Sequence, residues 1–187
     1  MKIRNKTGET LLEVLIAVVI LVLFLSSILA VINRAIFMNE NIQNRVEAIN
    51  LAREGIEGVR NIRDTNWLRF SGDKRNKWLC MNKECSKNIG ESSYYRIELQ
   101  SEAYELLPGE ENSFADFYRL YKTTENIFTH TEEKNTPTIF YRQIKTKVLE
   151  SPPRLSIIVS VFWQESNGEK SVSLETELFD YYKQNAY

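Results

Sequence analysis

The side chains that could carry chemistry are few and widely spaced. Glu13 is a carboxylate at the head of an apolar run that holds no further charge before Arg34. An ionisable group there is costly unless a partner neutralises it, so Glu13 calls for a counter-charge. Cys80 and Cys85 stand in Cys-Met-Asn-Lys-Glu-Cys. Beyond a membrane segment, where oxidation is permitted, that spacing predicts a small disulfide loop, with free thiols as the alternative. A zinc site needs four ligands, and the chain has one histidine, His130, and no second cysteine pair. His130 falls in a polar stretch and is expected at the surface, which leaves no Ser-His-Asp or Cys-His arrangement to build on. There is no Gly-x-Ser-x-Gly, no phosphate loop and no metal-ligating pair of histidines. With 7 glycines in 187 residues there is little material for a cofactor cradle. The chain therefore reads as non-enzymatic, with no metal and no cofactor.

Two charged stretches need weighing. Residues 69–88 hold Arg69, Lys74, Arg75, Lys77, Lys83 and Lys87 against Asp73 and Glu84. With Trp78 as an aromatic platform this could be a nucleic-acid patch. The plainer reading is a solvated connecting loop, and nucleic acid is not the expected partner. Residues 98–116 carry Glu98, Glu102, Glu105, Glu110, Glu111 and Asp116 without a Lys or Arg. They lack the spacing of a calcium loop and read as a solvated loop around Pro108-Gly109. The chain as a whole stands at −1 with a pI near 6.0, so it has no global field that would draw a polyanion.

The elements that place Glu13 begin with a basic leader, residues 1–8, whose Lys2, Arg4 and Lys6 hold the N-terminus on the cytoplasmic side of a membrane. Residues 14–32 are long enough and apolar enough to span a bilayer. An ordinary secretory signal would be shorter in its apolar region and would end in a small-x-small site, which is absent. An uncleaved anchor fits the length but leaves Gly8 and Glu13 without a purpose.

Lys-Thr-Gly-Glu-Thr-Leu-Leu-Glu-Val-Leu-Ile-Ala, residues 6–17, resembles the N-terminal motif of type IV pilins and type II secretion pseudopilins. In that family a membrane peptidase cuts after a leader ending in Gly, and the new N-terminus is methylated. The resemblance places the cut between Gly8 and Glu9, puts N-methylation on Glu9, and makes Glu13 the fifth mature residue. Glu9 stands where the family usually has Phe or Met. The resemblance also supplies the counter-charge: the α-amino group freed at Glu9 of one subunit can neutralise Glu13 of a neighbour, which makes Glu13 a register mark in a filament. The implied partners are other pilins or pseudopilins, the prepilin peptidase and the assembly machinery. The implied location is the cytoplasmic membrane before assembly and an extracellular or periplasmic filament after it. A secretion pseudopilin, or an ectodomain tethered by an uncleaved anchor, is the alternative.

Past Asn33, apolar residues recur at Ile42, Val46, Ile49, Ala52, Ile56, Val59 and Ile62. That spacing continues one helix over residues 9–68, with a stop at Asp64-Thr65-Asn66 and a length of about 80 Å. Gly55 and Gly58 each cost about 1 kcal/mol inside a helix and so mark either a close packing contact or simple tolerance. Residues 69–187 form the head. Tyr94–Gln100, Phe117–Tyr121, Phe140–Val148, Leu155–Trp163 and Val172–Leu178 read as strands. Asn167-Gly168 is expected to make a hairpin turn, and Thr123–Thr136 a polar loop. Short turns between strands give an antiparallel sheet whose apolar face, with Ile157, Val159, Val161 and Trp163 or their alternates, needs a helix as cover. The expected fold is α+β: a long N-terminal helix, its lower half transmembrane, packed on a small antiparallel sheet.

Overall fold

A computed structural model describes residues 7–90, 93–100, 103–150 and 153–180. Helix α1 runs from Thr7 to Arg69, 63 residues, and α2 is a single turn at Lys74–Lys77. Seven strands follow: β1 Ser93–Gln100, β2 Ala103–Gly109, β3 Arg119–Lys122, β4 Phe128–Thr129, β5 Thr136–Glu150, β6 Pro153–Glu165 and β7 Gly168–Phe179. The chain divides into two units after Asn44.

In the first unit, α1 is a bare helix. Its side chains from Thr10 to Glu40 are all exposed. Nothing in the unit competes for them, so the apolar surface of Val14–Ile32 is uncovered.

In the second unit, the rest of α1 packs on one face of a seven-stranded antiparallel sheet. Strand β5 is the axis. Its residues Phe140–Glu150 pair with β6 along one edge, while β3 and β1 share the other edge, β3 through Arg119↔Tyr141 and β1 through Tyr95↔Ile144. Strand β7 lies outside β6, β2 outside β1, and β4 outside β3. Period-2 alternation sends Leu155, Ile157, Val159, Val161 and Trp163 of β6 to the helix side, all buried, together with Phe140 and Ile144 of β5. Ala48, Leu51, Ala52, Val59 and Ile62 of α1 close the core from above. Gly55 and Gly58 lie in this contact, each directly against a sheet side chain. The opposite face of the sheet is covered in part by the segment between β2 and β3. There Phe114 packs on Tyr141 and Phe162, and the Gln143 amide donates to the carbonyls of Glu110 and Glu111 at 3.0 and 3.2 Å.

Several sequence expectations are corrected. The helix does not stop at Asp64-Thr65-Asn66. The Asn66 side chain leaves its own backbone and donates to the carbonyls of Trp78 and Cys80, so it cannot unwind the turn, and α1 continues to Arg69. Residues 103–109 are not a loop but β2, paired antiparallel with β1 with Ile97 opposite Leu106. As an edge strand β2 tolerates Pro108 and exposed charge. Asp116–Tyr118 is a 3-10 turn, so the third strand starts only at Arg119. Phe128–Thr129 interrupts the predicted polar loop as β4. The last hairpin turns at Ser166-Asn167, and Gly168, at φ +116°, is already paired with Glu165. Glycine takes that left-handed angle at no steric cost.

Candidate functional site

The candidate site is the start of α1. Gly8 and Glu9 lie in its first turn, where backbone N–H groups have no intrahelical partner. Lys2, Arg4 and Lys6 lie outside the described residues. Glu13 follows one turn after Glu9 on the same side of the helix, since residues four apart are stacked. Its carboxylate is exposed. This close to the N-terminus the helix dipole favours negative charge, but only by a fraction of 1 kcal/mol at an exposed position. A carboxylate placed against lipid would cost more than that.

Behind Glu13 the helix presents an 18-residue window with a mean hydropathy of 3.3, none of it buried within the structure. Two polar side chains interrupt the run, Ser26 and Ser27, and both donate to the Leu23 carbonyl at 2.8 Å. A hydroxyl bonded back to its own helix presents no unsatisfied donor, which makes these serines compatible with a hydrocarbon environment.

In the second unit, Cys80 and Cys85 are joined in a disulfide that closes a loop against the end of α1. Arg69 donates to the Lys83 carbonyl across that junction at 3.3 Å. Trp78, the expected aromatic platform of the basic stretch, is only 5% exposed and belongs to the core, so no base could stack on it. Among the described residues, no group of three or more His, Cys, Asp or Glu side chains is placed to hold a metal ion.

His130 is not the surface residue its polar neighbours implied. It is buried beside β3, with Nδ1 3.0 Å from the Arg119 carbonyl. A carbonyl only accepts, so the proton sits on Nδ1 and Nε2 is bare, with no hydrogen-bond partner. Burial, reinforced by the Arg142 and Arg96 charges, pushes its pKa down to about 3 and outweighs the Arg119 carbonyl. At neutral pH the imidazole is uncharged, with one ring nitrogen spent on backbone.

Arg142 of β5, 3% exposed on the helix side of the sheet, was also unforeseen. Its Nη1 lies 3.1 Å from Glu54 Oε1 and donates to the Leu51 carbonyl at 3.4 Å, which clamps α1 to the sheet. The signal was in the alternation of Phe140-Tyr141-Arg142-Gln143-Ile144, which puts Arg142 in register with the two buried apolar residues.

No protein-family model matches the chain, and no curated protein or solved structure matches it.

Proposed function

We propose that this chain is a prepilin-like structural subunit of the minor pilin type. In this reading it is inserted in the cytoplasmic membrane, cut after Gly8, N-methylated at Glu9, and assembled into a type IV pilus-like filament through its apolar helix. The observation that carries the reading is the combination at the start of α1. A glycine is followed five residues later by Glu13, at the head of an apolar run whose side chains are exposed from Val14 to Ile32. A plain anchor needs the apolar run but neither Gly8 nor Glu13. An assembly helix uses all three: Gly8 to be cut, Glu13 to pair with the freed amine of a neighbour, and the bare surface to pack against other helices once it leaves lipid. The small sheet with its helical cover is suited to display outside the membrane.

The test is the N-terminus of the mature protein. Recovered from membranes that contain active prepilin peptidase, the chain should begin at N-methylated Glu9. An intact Met1 under those conditions overturns the reading in favour of a tethered ectodomain.

A further inference from the structure

The face of the sheet turned away from α1 carries a charge pattern that the core does not explain. Period-2 alternation puts Lys145 and Lys147 of β5, Arg154 of β6, and Glu169, Glu175 and Glu177 of β7 on that face. Strand register sets its residues in rows: Gln143, Ser160, Ser173; then Lys145, Ile158, Glu175; then Lys147, Ser156, Glu177. Cations therefore line one side on β5 and carboxylates the other on β7, and Lys145, Lys147, Glu175 and Glu177 are all exposed. Between them β6 presents Ser156, Ile158 and Ser160, all half-buried. Within one chain the two charged columns stand two strand spacings apart, about 10 Å, so they do not meet each other directly. Their local contacts are partial: Ser156 donates to Glu175 at 3.3 Å, Arg154 lies 3.5 Å from Glu177, and Lys145 lies 5.0 Å above the Tyr94 ring.

We propose that this face pairs with the same face of a second copy of the chain, about a two-fold axis parallel to β6. Such an axis keeps the level of every row and exchanges the outer columns. Lys145 and Lys147 of each copy then stand over Glu175 and Glu177 of the other, and Ile158 meets Ile158 on the axis. A two-fold across the strands would instead stack β5 on β5 and oppose like charges, so the charge pattern selects the first arrangement. Arg154 also lies in the axis column, but each copy brings the Glu177 carboxylate beside it. The segment between β2 and β3 stands on the β5 side of this face, where Phe114 packs on Tyr141 and Phe162. The axis carries the partner's copy of that segment over Ser171, a small exposed side chain in the same row. Three strands over about ten residues cover about 500 Å². That is short of the about 800 Å² per partner of a standard stable interface, so the contact is weak and suits trapping better than sizing. An isologous contact closes at two copies. It uses neither Gly8, Glu13 nor the apolar run, so it stands or falls apart from the filament reading.

The experiment uses the full chain in phosphatidylcholine liposomes, with Ser160→Cys in the axis column and a short bis-maleimide as the trap. Cys80 and Cys85 are joined to each other and do not compete for it. The Ser160→Cys chain should give a crosslinked dimer. Adding Lys145→Glu/Lys147→Glu, or Glu175→Lys/Glu177→Lys, opposes like charges on both sides of the axis, and either should lower the yield at least about tenfold. An equal mixture of the two, one carrying a size tag, should recover the mixed dimer to within about twofold of the parental yield, because each now complements the other. A chain with all four exchanges opposes unlike charges again and should pair with itself, which also shows that the fold tolerates the exchanges. No dimer from the Ser160→Cys chain would overturn the proposal. So would a yield indifferent to either exchange, the result expected if the apolar helices alone bring the chains together, or a mixture and a four-exchange chain that both stay monomeric.

Discussion

Gly55 of α1 and Val159 of β6 meet with no room for a side chain between them: a Cβ on Gly55 would stand 2.8 Å from Val159 Cγ1. Gly58 meets Ile97 of β1 in the same way, but there the opposing atom is the terminal Cδ1. The two glycines therefore differ in what an added methyl must displace. Val159 is β-branched, stiff at χ1 and fully buried, so it cannot step aside. The end of Ile97 can change rotamer.

Alanine at either position gains about 1 kcal/mol of helix propensity. At Gly55 the clash should outweigh it, because overpacking a tight core costs about 1 to 3 kcal/mol. Gly55→Ala is expected to lower the unfolding temperature of the head, and Gly58→Ala to leave it nearly unchanged. Val159→Ala should relieve part of the Gly55→Ala cost, a favourable coupling of at least about 0.5 kcal/mol. Unfolding followed by the near-ultraviolet signal of the buried Trp78 and Trp163 tests this; equal effects at the two glycines would contradict it.

The clamp between Arg142 and Glu54 makes a second prediction. Glu54→Ala leaves a buried guanidinium with the Leu51 carbonyl as its remaining partner among the described residues. Removing one partner of a buried pair costs about 3 to 5 kcal/mol, but Glu54 is 39% exposed and water can replace part of its effect, so a loss of about 2 kcal/mol is expected. Arg142→Met should cost less, since it removes the buried charge along with its need. In Arg142→Met, the further change Glu54→Ala should be nearly silent. A double-mutant cycle on denaturant midpoints reads this directly, and additivity would show that the pair is not coupled.

His130 makes the head acid-sensitive. A free imidazole takes its proton near pH 6.5, whereas the buried one resists until about 3. Between those values the unfolded chain binds a proton that the folded chain refuses. The contribution of His130 is therefore complete above about pH 6.5 and falls away as pH drops toward 3, by about 1.4 kcal/mol per pH unit within the window. The cause is local, because a second proton would go on Nε2, which has no acceptor and faces the charges of Arg142 and Arg96. His130→Gln should lower stability at pH 7 and flatten its decline between pH 6 and 4. A variant as acid-sensitive as the parent would show that His130 does not set this dependence.

What could be read in advance follows from how strongly each element is patterned by burial. Strands β5, β6 and β7 are long and alternate, so they are legible as strands, but which face of β6 turns inward, Ile157, Val159, Val161 and Trp163 or their alternates, is decided only by the packing of α1 against it. Strands β2 and β4 pair along one edge each, so charge and proline are allowed in them and the pattern fades. On α1 the expected stripe of Ile42, Val46, Ile49, Ala52, Ile56, Val59 and Ile62 is buried at Ala52, Val59 and Ile62 but not at its start. Ile42 and Val46 are 57% and 52% exposed, while Ala48, Leu51, Gly55 and Gly58 touch the sheet. Close approach of helix to sheet selects small residues, which a search for large apolar ones passes over. The start of α1 is the reverse case. From Thr10 to Glu40 the side chains are exposed, so the reading of this segment rests on spacing.

Glu13 carries the prediction that bears most on the proposed filament. Glu13→Gln keeps the shape of the side chain and removes its charge. If Glu13 served only the membrane anchor, losing the charge would ease insertion and change nothing afterwards, because a neutral amide is cheaper in lipid than a carboxylate. If it pairs with the freed amine of a neighbouring subunit, the neutral variant leaves that amine uncompensated at a poorly hydrated contact, at a cost of several kcal/mol where one partner of a buried pair is lost. Insertion and cleavage after Gly8 should then proceed as in the parent, while recovery in sheared filaments falls at least about tenfold, the equivalent of about 1.4 kcal/mol. The two quantities come from one culture, membrane fraction against filament fraction. Parental recovery in filaments would remove the register role from Glu13 and leave it an exposed carboxylate at the lipid boundary.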